Sequence, residues 1–144
     1  MATSADIFDS RMARWLQEQD LPWMRLKYKL VQALLARHIG PAPQRILDAG
    51  GGNGFDSIPL AAQGHRVDLV DYSQEMLAGA ARQAAAAGAE QRVTLHHADV
   101  SRVSELFPGT PFDFVLCHNV LQYVADVPAL LRGLVAPLKT GGLM

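Results

Sequence analysis

Two aspartates and a cluster of glycines are the residues whose types and spacing could do chemistry in this chain. Asp48 stands directly before Ala49-Gly50-Gly51-Gly52-Asn53-Gly54, and Asp71 closes a second apolar run 17 residues after Gly54. Four glycines in five residues carry a backbone-entropy cost. A tight turn of positive φ, or the close approach of a ligand to bare backbone, would justify it. Strand, glycine turn, helix, strand, acid is the layout of a nucleoside-binding βαβ unit, where a carboxylate ending the second strand can accept from both ribose hydroxyls. The pattern is G-x-G-x-G, and Phe55 takes the position of the third glycine of a dinucleotide fingerprint. Asp48 beside the turn would repel a pyrophosphate and suit a ligand carrying positive charge.

Further along lie Asp71-Tyr72-Ser73-Gln74-Glu75-Met76-Leu77, then Ala98-Asp99-Val100, then Phe112-Asp113-Phe114-Val115-Leu116-Cys117-His118. With Asp48 to Gly54, this order and spacing resembles the class I S-adenosylmethionine-dependent methyltransferases over roughly residues 40 to 144. Within them, residues 47–52 and 118–126 look most like the bacterial tRNA 5-carboxymethoxyuridine methyltransferases and their relatives. The resemblance implies an α/β fold, a Rossmann-like doubly wound parallel sheet with strands ordered 3-2-1-4-5-7-6. It implies S-adenosylmethionine as cofactor, held by Asp48, Gly50, Gly51, Gly52, Asp71, Tyr72, Met76, Asp99, Val100 and His118. A basic residue near the N-terminus is expected against the cofactor carboxylate, Lys27 first by local pattern and Arg25 second. The expected acceptor is a small molecule or a tRNA. The sulfonium already activates the methyl group, so no catalytic base is assigned, and His118 and Asn119 are candidates for positioning the acceptor.

Each of these residues has a plainer role open to it. Met76 at helical spacing can be core, Asp99 a helix cap, and His118 a core or capping histidine. Two other readings of the whole are an NAD-dependent oxidoreductase, which the glycine pattern and Asp48 disfavour, and a non-catalytic cofactor-binding remnant.

The positioning elements are read as follows. Apolar residues Ile7, Phe8, Met12, Trp15 and Leu16 suit a short amphipathic helix. A second helix spans Trp23 to Ile39, with Leu26, Leu30, Ala33 and Leu34 as a packing stripe and Gly40-Pro41 as its stop. Residues 1–40 form an N-terminal helical segment contributing to the cofactor pocket, and residues 41–144 a partial methyltransferase domain. Strands are expected at residues 45–48, 66–71, 92–97 and 112–118. Helices are expected from Phe55 to Gln63, from an N-cap at Ser73 to Ala87, and from Val127, capped by Asp126, to Leu138. His96 and His97 are neighbours on a strand and point to opposite faces, so they cannot chelate one metal ion. Gly141 to Met144 begins a fifth strand, so the sheet reads as cut short there. The fourth strand would then be an open apolar edge, inviting self-association.

Composition bounds the class. Hydrophobic residues make up 49%, charged residues 19%, and the net charge is −1, so no broad basic surface points to nucleic acid. No run approaches the roughly 18 apolar residues of a membrane span. The single cysteine, Cys117, excludes an internal disulfide and fits a reducing, cytoplasmic setting.

Overall fold

A computed structural model of the chain describes residues 14, 17–109 and 111–144. The chain forms two compact units, Met1–Gly40 and Pro41–Met144. The amphipathic pattern at Ile7, Phe8, Met12, Trp15 and Leu16 lies outside the described residues.

In the first unit, helix α1 covers Pro22–Leu35, with proline in its first turn, where a missing N–H costs no hydrogen bond. It ends earlier than Gly40-Pro41 implies. The amides of Arg37, His38 and Ile39 bond back to Leu34 and Leu35 in turns rather than continuing the helix. The stripe also differs from expectation. Leu26, Leu30 and Leu34 are exposed, whereas Met24, Leu35 and Ile39 are buried.

The second unit is built on a five-stranded parallel sheet. Its strands are β1 (Arg45–Ala49), β2 (Arg66–Asp71), β3 (Val93–His97), β4 (Phe112–Leu116) and β5 (Leu138–Leu143), in the order β3-β2-β1-β4-β5. This is a Rossmann-like α/β arrangement with β1 at the centre. The connections carry α2 (Ile58–Ala62), α3 (Gln74–Ala86), α4 (Val103–Leu106) and α5 (Val127–Val135). Period-two alternation turns Leu47 and Ala49 of β1 toward one core. There they join Val70, Val103, Phe107, Phe112, Val115, Val120, Leu130 and Leu134. Burying each large side chain of this set contributes about 1.5–3 kcal/mol.

Several boundaries move from their expected places, and β4 ends at Leu116 rather than running on to His118. The helix after the glycines begins at Ile58, not near Phe55. Gly54 at φ +77° forces a turn, and the helix starts only where Ile58 N–H reaches the Gly54 carbonyl. Helix α5 stops at Val135, because Pro137 has no N–H to continue it. Leu138 instead opens β5, so the expected stub is a paired strand. It joins β4 through Phe112↔Leu138 and Phe114↔Leu143, with a bulge between that Gly141 serves at φ +82°. The edge of β4 is therefore covered. Lys139 of β5 pairs with Asp113 of β4.

Candidate functional site

The register of the parallel strands decides where the chemistry gathers. Ala49 is level with Val70, and Asp48 with Leu116, so β1, β2 and β4 end together. The segments that follow them, residues 50–54, 72–73 and 117–120, emerge side by side at the C-terminal edge. In open α/β sheets that edge is where ligands bind.

The glycine loop is fastened from below. Gly50 and Gly51 donate to the Val70 carbonyl at 2.8 and 3.3 Å, and Gly52 donates to Oδ2 of Asp71 at 2.9 Å. Ser73 N–H donates to the other oxygen, Oδ1, at 2.9 Å. Asp71 thus ties the loop of β1 to the end of β2. Three successive loop amides are used inside the protein, so they are not turned outward as a phosphate cradle. This departs from the dinucleotide arrangement, in which backbone amides meet the pyrophosphate.

The glycines are also required by space. A Cβ on Gly50 would lie 2.5 Å from Cγ2 of Val120, and one on Gly51 2.5 Å from Oδ2 of Asp48. Gly50 and Gly52 have φ of +70° and +56°. Met76 is buried, and its methyl group lies 3.1 Å from where a Cβ on Gly52 would stand. Val100 reaches within 3.5 Å of the same construction on Gly50.

Asp48 is the electrostatic centre of the site. It is 3% exposed, and its Oδ2 has no hydrogen-bond partner among the described residues. Burial pushes its pKa up to about 7; the Ser57 hydroxyl opposes this, Asp56 adds to it, His118 opposes it and Asp71 adds to it. Ser57 Oγ is itself buried without a closed hydrogen bond, so its pull on Asp48 is through proximity. Asp71 is also raised by burial, against the amides of Ser73 and Gly52 and the imidazole of His97. The Cys117 thiol is raised by burial and by Asp48, which keeps it protonated and not a nucleophile.

His118 lies two residues past β4, and its Nδ1 is 2.8 Å from Oδ2 of Asp56. Asn119 follows at φ +57°, the left-handed conformation that asparagine tolerates, and turns the chain so that Val120 packs over Gly50. Asp56 was not singled out from the sequence. The only signal for it is a charged residue two positions after the glycine loop.

The remaining expected residues fall less centrally. Asp99 caps a short 3-10 turn, its Oδ1 accepting from Ser101 N–H at 2.8 Å, and is exposed. Tyr72 is exposed, and its carbonyl lies 2.8 Å from His97 Nε2. His96 faces the other way, with its Nε2 2.9 Å from Asp68. Lys27 is half-buried on α1 in the first unit, and Arg25 lies 3.7 Å from Asp20.

The sequence profile described as "Methyltransferase domain" matches residues 46–142, from the first core residue of β1 into β5. The chain belongs to the class I S-adenosylmethionine-dependent methyltransferase family. This methyltransferase domain is 38% identical over 106 residues to a tRNA 5-carboxymethoxyuridine methyltransferase of Escherichia coli K12, covering 74% of the chain and 40% of that protein. It is 29% identical over 137 residues to a ubiquinone biosynthesis O-methyltransferase of Sodalis glossinidius, covering 94% of the chain and 54% of that protein. Among solved structures, a SAM-dependent methyltransferase from Geobacter sulfurreducens in complex with S-adenosyl-L-homocysteine superposes with a TM-score of 0.69 at 26% identity, covering 81% of the chain and 45% of that one. The chain spans about half, or less, of the length of these relatives.

Proposed function

We propose that this methyltransferase domain binds S-adenosylmethionine at the C-terminal edge of β1 and supports transfer of its methyl group to an oxygen acceptor. The observation that carries the reading is the buried Oδ2 of Asp48, without a hydrogen-bond partner among the described residues, beside a loop whose amides face inward. That combination disfavours phosphate and favours a cationic ligand.

The residues present fit such a ligand. Gly50, Gly51 and Gly52 leave the space that side chains would fill. Asp71, which accepts from the amides of Gly52 and Ser73, would also accept from the ribose hydroxyls. Asp99 and Val100 would meet the adenine edge, and Tyr72 and Met76 its faces. When bound, the sulfonium supplies an electrophilic methyl group. The chain's own task is to hold the donor against Asp48, align the acceptor and exclude water.

The acceptor reading is drawn from the relatives. One is named for a modified uridine of tRNA and another for O-methyl transfer, and we carry over oxygen as the accepting atom, with a modified tRNA wobble uridine as one candidate. Titration calorimetry with S-adenosylmethionine, S-adenosylhomocysteine and NAD tests the donor. Saturable binding of the first two and none of NAD is expected. Binding of NAD with no binding of either sulfur compound would overturn the reading.

A further inference from the structure

We propose that the Asp48 carboxyl exchanges its proton for the positive charge of a ligand: it stands neutral in the free domain and gives its proton to solvent when a cationic ligand enters the glycine loop, so that occupancy of the site by S-adenosylmethionine is governed by pH. This control rests on the donor-binding reading above.

Three observations meet at this carboxyl. The first is burial without a partner. Asp48 is closed off from solvent, and among the described residues its Oδ2 has no hydrogen bond. An ionised carboxylate in such a place has lost its hydration and gained little in return, so the neutral acid is the cheaper form. The second is the company it keeps. Its neighbours across the sheet are Leu69 of β2 and Leu116 of β4, both apolar. The ionisable groups around it are Asp56 before α2, Asp71 at the end of β2, and Cys117 and His118 after β4. Two of these are acids, the thiol is kept protonated, and the imidazole of His118 is already held 2.8 Å from Asp56. Among the described residues no lysine or arginine forms an ion pair with Asp48. The third is contact with the loop. The same Oδ2 would lie 2.5 Å from a Cβ on Gly51, so the unpartnered oxygen is pressed against the bare backbone where a ligand would seat.

The protein thus supplies no cation for this acid, and a ligand that carries one completes the pair. On binding, only the O–H bond of Asp48 breaks. Its proton goes to solvent, and the carboxylate left behind offsets the positive charge of the ligand. On release the proton returns. Burial holds the free carboxyl near pKa 7, with Ser57 and His118 opposing and Asp56 and Asp71 adding to the rise. Below that pH the ligand must displace a proton, and above it the carboxylate is already formed. Affinity for a cationic ligand therefore climbs about tenfold per pH unit up to about pH 7 and is level above. A neutral nucleoside has no charge to exchange and escapes this dependence.

The test counts protons. The whole protein is titrated calorimetrically with S-adenosylmethionine, S-adenosylhomocysteine and 5′-methylthioadenosine, which keeps the nucleoside and the thioether but has neither cation. Failure of the wild type to bind S-adenosylmethionine at pH 8, where Asp48 is ionised, defeats the donor-binding reading itself. With binding established, titrations at pH 6 in buffers of different ionisation enthalpy give the protons released. About 0.9 proton per S-adenosylmethionine is expected, and none from Asp48 with 5′-methylthioadenosine. Release with S-adenosylhomocysteine as well supports the proposal with the ammonium as the compensating charge, and release with S-adenosylmethionine alone supports it with the sulfonium. Asp48→Asn, first shown to melt cooperatively, should lose the release and the roughly tenfold fall in affinity from pH 6 to pH 5. An infrared difference spectrum of the wild type at pH 6 needs no variant. Addition of S-adenosylmethionine should remove the carbonyl band of one protonated carboxyl. Binding at pH 6 without proton release, equal release with 5′-methylthioadenosine, release undiminished in Asp48→Asn, or a protonated-carboxyl band that stays in place would each overturn the proposal and leave the donor-binding reading standing.

Discussion

A methyl group on Gly51 would stand 2.5 Å from the Oδ2 atom of Asp48. Loop and carboxylate are therefore one packed unit, and the glycine is needed to seat the acid as much as to make the turn. Gly51→Ala is expected to displace Asp48 or lift the loop, costing about 1–3 kcal/mol as overpacking does. Affinity for S-adenosylhomocysteine should fall at least about tenfold. A melting curve and a calorimetric titration of the variant check both.

Asp48 also predicts a pH dependence of stability. Its carboxyl holds a proton up to about pH 7 in the folded chain and loses it near 3.8 once unfolded. Between those values unfolding releases a proton, so this contribution falls as pH rises from about 4 to 7 and is flat above. Its size is on the order of 4 kcal/mol. The raised Asp71 acts in the same direction, while the lowered His65 acts in the opposite one. The comparison must therefore be between wild type and Asp48→Asn. Denaturant unfolding at pH 5 and pH 8 should show the wild type gaining on the variant at the lower pH.

Asp71 joins the two strands by accepting from Gly52 and Ser73. Asp71→Asn keeps the shape but sets an amide N–H against a backbone N–H on one side. A loss of about 1–3 kcal/mol is expected, together with weaker donor binding. Urea unfolding and calorimetry measure the two effects.

Asp113 lies at the opposite end of the sheet. Its Oδ2 accepts from Arg45 N–H at 2.8 Å, and its Oδ1 meets Lys139 of β5. Asp113→Ala should lower stability by about 1–3 kcal/mol while leaving affinity for S-adenosylhomocysteine unchanged in the folded fraction. It separates an effect on the sheet from an effect on the site.

What could be read in advance was local in the chain. The glycine turn, the acid ending β2 and the Ser73 cap each occupy a few consecutive residues, so composition and spacing reveal them. The limits of β2 and α3 follow for the same reason. Other features depend on partners far apart. The pairing of Asp56 with His118 joins residues 62 apart, and nothing near either position announces it. The inward aim of the loop amides depends on the Val70 carbonyl of another strand. The leucines of α1 at 26, 30 and 34 have a helical period, but period alone does not say which face is covered. The late start of α2 came from one dihedral angle at Gly54, and the strand identity of Leu138 from its pairing with Phe112.

On the proposed function, the glycine loop flanked by Asp48 and Asp71 receives an adenosyl sulfur ligand. A ¹H–¹⁵N correlation titration with S-adenosylhomocysteine tests it most directly. Saturable shifts are expected at the amides of Gly50, Gly51, Gly52, Tyr72, Val100 and His118, with little change at Arg45 and Asp113. Saturation with those loop amides unmoved, or with shifts confined to the far edge of the sheet, would contradict it.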